Sequence, residues 1–203
     1  MFVPKLYKSE DRQLMKEIIS ENAFALLISS ADKIRATHSM MILNEDDPEN
    51  PYIETHISKA NPQAKVLNNG SEVLCDFLGA HTYISSSWYD HMNVSTWNYE
   101  AVQIYGTVEL MTQEELYSHL EKLTLKYEKA QKCPVLVNDM GKDFVEKEMK
   151  GAFGIKIIPT EIFIQQKLSQ NIKENDYQNI IRELEKGDSN AKAIAEKMQQ
   201  LNT

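Results

Sequence analysis

AFALLISSADKIRATHSMMILNEDDPENPYIETHI, residues 23–57, decides the fold. Ala23 to Ser29 is a short apolar run of strand length, Ala31-Asp32-Lys33 is a turn, and Ile34 to Asn44 resumes as a second strand. The polar loop Glu45 to Pro51 leads into Tyr52 to Ile57, where apolar and polar residues alternate. Alternation sends successive side chains to opposite faces of a sheet, and here three such runs follow one another across short connections. A parallel sheet needs a crossover, usually a helix, between neighbouring strands. The stretch therefore predicts antiparallel pairing.

The same reading extends in both directions. Upstream, Ser9 is a candidate cap for a first helix with Glu10 and Asp11 in its opening turn, and Leu14, Met15, Ile18 and Ile19 form its apolar stripe. Downstream, Asn61 as cap, Pro62 at the first helical position and Gly70 as stop predict a short helix. Glu72 to Leu78, Thr82 to Ser86 and Ala101 to Met111 read as strands. Thr112-Gln113-Glu114-Glu115 is a capping box opening a long helix whose Leu116, Leu120, Leu123 and Tyr127 share one face. A second short helix runs from Lys142 to Met149, and Phe153 to Ile158 and Glu161 to Leu168 are strands interrupted by Pro159. From about Asn175 two helices meet at Gly187-Asp188-Ser189. The expectation is a mainly β, α+β fold, a barrel of six to seven antiparallel strands with inserted helices and a C-terminal helical pair. Residues 1–168 would form the barrel domain and 169–203 a helical extension packed on the barrel or on a dimer partner.

Composition narrows the function. The 203 residues are 42% hydrophobic and 26% charged, an ordinary globular balance. Twenty-two basic against 30 acidic residues leave a net charge of −8, a poor electrostatic footprint for gripping nucleic acid. From Gln170 to the end, five basic residues (Lys173, Arg182, Lys186, Lys192, Lys197) face six acidic ones (Glu174, Asp176, Glu183, Glu185, Asp188, Glu196), so a DNA-reading helix pair is disfavoured there too. Cys75 and Cys133 make no disulfide framework, Met1-Phe2-Val3-Pro4-Lys5 is not a signal peptide, and no apolar run reaches membrane-spanning length. A cytoplasmic protein is expected. No GxSxG elbow, phosphate-binding P-loop or GxGxxG fingerprint occurs, and the histidines at 38, 56, 81, 91 and 119 lack a metal-ligand spacing. No metal and no catalytic residue are expected.

Two clusters remain. Between Thr82 and Gly106 lie both tryptophans, Trp88 and Trp97, with Tyr83, Tyr89, Tyr99 and Tyr105. Such crowding serves core or subunit packing equally as well as a wall for a flat ring. His56-Ile57-Ser58-Lys59-Ala60-Asn61-Pro62 puts a cation and a hydroxyl before the expected helix, where free amides and the dipole suit a phosphate; an ordinary strand-to-helix junction reads the same way.

At these clusters the sequence resembles the PaiB-type transcriptional regulators. The matching segments are Val3-Pro4-Lys5, Ala36-Thr37-His38, Ala60-Asn61-Pro62-Gln63, Tyr83-Ile84-Ser85-Ser86-Ser87-Trp88-Tyr89, Thr96-Trp97-Asn98-Tyr99, Tyr105-Gly106 and Lys167-Leu168-Ser169-Gln170-Asn171. They span nearly the whole chain, and the run from Tyr83 to Tyr99 is the most specific. The resemblance implies an FMN-binding split β-barrel of the pyridoxamine-phosphate-oxidase-like kind, a homodimer with FMN near the subunit boundary, and a role as a negative transcriptional regulator of protease production and sporulation. The implied cofactor-binding residues are Thr37, His38, His56, Lys59, Asn61, Tyr83, Ser85, Trp88, Trp97, Tyr99, Lys167 and Gln170. Lys59 and Asn61 would face the phosphate; Thr37, His38 and the two Trp segments would line the ring. A flavin-dependent oxidoreductase is the alternative that the fold implies. The chain departs from the pattern at Met40, Ala80 and Ser95, each replacing a Pro, and at Ala64, which replaces a Trp. Loss of that ring predicts FMN binding that is weakened or absent.

Overall fold

Burial alternates along much of the sheet, as in the stretches Phe24–Ser29 and Glu72–Gly79. The computed structural model describes residues 1–201; the last two residues of the expected C-terminal extension lie outside them. In chain order the elements are β1 (Lys8–Ser9), α1 (Arg12–Glu21), β2 (Phe24–Ser29), β3 (Arg35–Asn44), β4 (Tyr52–Ser58), β5 (Glu72–Ile84), β6 (Thr96–Leu110), α2 (Gln113–Glu128), α3 (Val137–Met140), α4 (Lys142–Met149), β7 (Ala152–Lys167), α5 (Glu174–Leu184) and α6 (Ser189–Leu201). Hydrogen bonding runs β1-β7-β4-β3-β2-β5-β6, and a further β7–β6 pairing closes β2 to β7 into a six-stranded ring with β1 added on β7. The pairings β2–β3, β3–β4 and β4–β7 are antiparallel, with Leu26 opposite His38, Met41 opposite Thr55 and Thr55 opposite Ile155.

The chain forms two compact units. One comprises residues 23–76 and 104–161; the other comprises residues 1–22, 77–103 and 162 onward. In the first, Ile53 and Ile57 of β4 and Ile155 and Ile157 of β7 are buried. Their β-branched side chains fit a pleated, covered surface. Helix α2 starts at Thr112, whose hydroxyl accepts from Glu115 N while the Glu115 carboxylate accepts from Thr112 N. The capping box was legible because both partners lie within four residues. Helices α2 to α4 share a small core of Leu116, Val137, Val145 and Met149. Gly106 on β6 is required by close approach, since a Cβ there would lie 2.5 Å from the Ile158 carbonyl oxygen. In the second unit, α5 and α6 bury Tyr177, Ile180, Ile181, Leu184, Ile194 and Met198 against Ile84 and Leu168.

Several expectations are corrected. The first helix is capped by Asp11, not Ser9: Asp11 Oδ1 accepts from Gln13 N at 2.8 Å, while the Ser9 hydroxyl accepts from Asp11 N. The short helix from Asn61 does not form. Ala64 N bonds Asn61 O and Val66 N bonds Gln63 O, i to i+3 turns with no helical i to i+4 step. Gln63 is the cause: its side chain turns inward, donating to Leu27 O and Ser29 Oγ. β5 runs unbroken from Glu72 to Ile84, where two strands were expected, and β7 passes through Pro159. A proline survives in a strand wherever its missing N–H is not needed by a neighbour. β6 starts five residues early, at Thr96, carrying Trp97 and Tyr99 on a strand.

Candidate functional site

The turn after β4 is a side-chain site without a helix behind it. The Asn61 amide donates to Thr37 Oγ1 at 2.9 Å, and Asn61 Oδ1 accepts from Gln63 N. Lys59 N bonds Gly151 O, Ala60 N bonds Ser58 Oγ and Asn61 N bonds Ser58 O. The amides expected to cradle an anion are thus engaged, by Gly151 O and by the turn itself. What stays available is the exposed Lys59 ammonium, which makes no ion pair among the described residues, and the Thr37 hydroxyl hydrogen. Gln63, 1% exposed, leaves its Oε1 without a partner among the described residues. A buried acceptor without a donor costs free energy, and this one is offset by the two hydrogen bonds that the same side chain donates to Leu27 O and Ser29 Oγ. Ala64 is buried in the same turn. His38, exposed on β3, stacks on Phe24 with ring centroids 5.5 Å apart.

His56 belongs to a chain of buried polar groups that spacing alone could not show. Glu54 and His56, two apart on β4, occupy the face opposite Ile53 and Ile57, under α2. His119 of α2 is 0% exposed; its Nε2 lies 3.1 Å from His56 Nδ1 and its Nδ1 3.4 Å from Glu54 Oε2. Glu54 Oε1 accepts from Asn44 Nδ2 at 2.8 Å and Tyr52 Oη at 3.2 Å, with Lys122 Nζ at 3.4 Å. Burial works to raise the Glu54 carboxyl, but hydrogen bonds from His119 and Asn44 and the Lys122 charge outweigh it and hold it at about 2. Burial, then the neighbouring His119, pushes His56 down to about 4. The sequence signal was the pair Glu54 and His56 at a two-residue spacing on an alternating strand; their partner lies 63 residues beyond His56.

In the other unit, β5 and β6 present an open aromatic face. Trp97 is 52% exposed and Tyr83 46%, in an edge contact with centroids 6.1 Å apart, while His81 lies 6.3 Å from Trp97. Tyr99 follows on β6, half-buried. Thr96 and Asn98 tie this face to the end of β7: Lys167 Nζ donates to Thr96 Oγ1 at 2.5 Å, and Asn98 and Ser169, both buried, exchange hydrogen bonds at 2.9 and 3.1 Å. Burial pushes the Lys167 ammonium below its ordinary value, and the cation sits 5.9 Å over the Tyr7 ring. Gln170 bonds Gln166 O and Leu168 N, and with Tyr7, Gln166 and Tyr177 it lines a cleft of about 440 Å³. Ser85 caps a 3-10 turn over Ser86–Trp88 through Ser87 N. Trp88 packs on the helical core and lines a separate cleft of about 560 Å³ with Asn179 and Arg182. Trp97, Tyr83 and Tyr99 thus share one sheet region, whereas Ser85, Trp88 and Gln170 have local structural partners. Sequence reading missed Glu54, His119, Gln63, Asn98 and Ser169. No helix among the described residues is long and apolar enough to cross a membrane.

A sequence profile described as "Putative FMN-binding domain" matches residues 1–161. The chain is 38% identical over 201 residues to the Bacillus subtilis (strain 168) "Protease synthase and sporulation protein PAI 2", covering 98% of this chain and 97% of that one. Among solved structures, the FAD and heme binding protein from Mycobacterium smegmatis superposes with a TM-score of 0.64 at 12% identity, covering 85% of this chain and 78% of that one. The flavocytochrome Anf3 from Azotobacter vinelandii gives 0.55 at 17% identity, covering 87% and 78%. At such identities the likeness is one of fold, the split β-barrel.

Proposed function

The chain belongs to the PaiB-type family of FMN-binding split barrels, and from that premise we propose that it is an FMN-binding negative regulator of transcription, acting in the cytoplasm as a homodimer. The observation that carries the reading is Trp97, a strand indole left half open beside Tyr83 and His81. Burying such a ring face is worth on the order of 1–2 kcal/mol, and a planar ligand supplies that burial without repacking the protein. The name of the Bacillus subtilis relative, which refers to protease synthesis and sporulation, supports a regulatory role over a catalytic one.

The residues present fit the cofactor. The exposed Lys59 ammonium and the Thr37 hydroxyl, oriented by Asn61, would hold an anionic tail. The other unit offers a face of its own against which a flat ring would lie, made by Trp97, Tyr83 and Tyr99, with Lys167 bonded to Thr96 there. FMN supplies a flat, redox-active ring and a phosphate. The protein's own part is to bind, orient and desolvate. With a net charge of −8, the effect on transcription follows from flavin occupancy biasing an interaction surface, rather than from a charge-driven grip on DNA.

The test is an absorption spectrum of the purified protein followed by FMN titration. The expectation is flavin bands or, for protein purified bare, quenching of added FMN, with Lys59→Gln weakening binding roughly tenfold through loss of one charge-assisted contact. Colourless protein that leaves FMN fluorescence unchanged would end the proposal.

A further inference from the structure

We propose that His81 reads the edge of a ring lying on Trp97: its Nε2 accepts a hydrogen bond from an N–H at the rim of that ring, so this face selects planar ligands that carry such a donor. The proposal rests on the reading of the Trp97 face as a flavin surface.

The backbone sets where the hydrogens of His81 sit. Its Nδ1 lies 2.9 Å from the carbonyl oxygen of Gly79, two residues back on β5. A carbonyl oxygen only accepts, so Nδ1 carries the hydrogen. In the neutral ring Nε2 is then a bare lone pair, on the outer part of the imidazole beyond the contact with the strand. It has no partner among the described residues, and no carboxylate there pairs with the ring. Nor is it one of the sealed polar atoms, so this half-buried side chain keeps its accepting nitrogen open.

The neighbouring rings put that lone pair on the aromatic face. His81 and Tyr83, two apart on β5, both meet Trp97 of β6. The His81 and Trp97 centroids are 6.3 Å apart with planes 31° from parallel, and Tyr83 meets the indole edge-on. A three-ring ligand laid on the indole is wider than that separation, so its rim reaches the imidazole. On β6 the residues either side of Trp97, Thr96 and Asn98, point the other way and are engaged by Lys167 and Ser169. The Tyr83 hydroxyl can donate or accept, so it tolerates either kind of rim atom. A neutral His81 held by Gly79 can only accept, and that makes it the discriminating group. The oxidised flavin ring carries one N–H, set between two carbonyls at its pyrimidine edge. A flavin methylated at that nitrogen keeps the flat ring and loses the donor.

The experiment titrates the whole protein at pH 8, where imidazole in water is neutral, with FMN and with FMN methylated at the ring N–H. Wild type is compared with His81→Phe, which keeps a ring against Trp97. Nitrogen-15 NMR of histidine-labelled wild type reads the imidazole directly. Wild type should bind FMN about five- to tenfold more tightly than the methylated flavin, and His81→Phe should bind the two within about twofold of each other. Free wild type should show His81 with hydrogen on Nδ1 and a bare Nε2, whose resonance moves when FMN is added. Wild type that binds both flavins alike, a His81→Phe that discriminates as wild type does, a His81 with hydrogen on Nε2, or an Nε2 resonance indifferent to bound FMN overturns the role of His81 and leaves the flavin reading standing. Wild type that binds neither flavin overturns the flavin reading and the role of His81 with it. Should His81→Phe fail to fold, the two wild-type affinities and the NMR decide.

Discussion

Acid should unfold this protein through His56 before it reaches Glu54. The His56 imidazole falls from 6.5 to about 4 on folding. Between those values the unfolded chain binds a proton that the folded chain refuses, so stability rises with pH across the window. The contribution is complete above pH 6.5 and is lost as the pH falls towards 4. Each pH unit is worth about 1.4 kcal/mol, which sets an upper limit of about 3.5 kcal/mol for the interval from 6.5 to about 4. Glu54 adds the same sign lower down, from 4.5 to about 2, so the interval from pH 6.5 to 4.5 isolates the histidine. Urea unfolding at half-unit steps measures the loss. His56→Asn, whose amide still offers His119 a hydrogen but does not titrate, removes the background of the other histidines. The difference between wild type and variant should shrink by roughly 2–3 kcal/mol between pH 7 and 4.5. Parallel curves for the two proteins would refute both the neutral buried His56 and the cause assigned to it.

Two further perturbations test the frame around the site. Gly106→Ala drives a methyl to 2.5 Å from a backbone oxygen and 2.7 Å from Ile157 Cγ2, a clash no rotamer change can relieve; overpacking of this kind costs about 3 kcal/mol, read as a lowered urea midpoint at unchanged slope. Thr112→Ala removes the hydroxyl from the capping box of α2 and should cost about 1 kcal/mol by the same assay. Because α2 carries His119, the variant should also broaden the His119 resonances, whereas a silent spectrum would show that the cap does not hold His119 against His56 and Glu54.

Local rules made most of the frame legible. The α2 cap, the strand alternation of β2 to β4 and the Gly187 break between α5 and α6 each depend on residues a few positions apart, and each appears where spacing put it. The failures have one physical form. Asn61-Pro62 carries a strong helix-start signal, yet the segment folds as turns because the amide of Gln63 is drawn inward to Leu27 and Ser29, more than 30 residues away. Ser9 precedes acidic residues like a cap, yet Asp11 reaches the amide two positions on first. Pro159 punctuates the sequence but not β7. In each case a tertiary partner or a nearer donor overrode a local preference.

The candidate site follows the same division. Aromatic crowding from Tyr83 to Tyr99 was visible as composition, and the openness of Trp97 became decidable only once β6 was seen to begin at Thr96 and carry the indole outward. The absence of a helix after β4 withdraws free amides and dipole from the proposed anion site, so its affinity would come from the Lys59, Thr37 and Asn61 side chains. That makes binding more dependent on a single cation than a helix-terminus site would be. It also moves the interest of the segment to its buried neighbour: a carboxylate and two imidazoles in line beneath α2 are costly to bury. Nothing in the hydrophobic packing of β4 calls for them, since Ile53 and Ile57 supply the core on the opposite face. Their cost is offset within the protein, by the hydrogen bonds that Asn44, Tyr52 and His119 bring to Glu54 and by the Lys122 charge beside it, so the cluster fixes α2 on β4 through polar contacts.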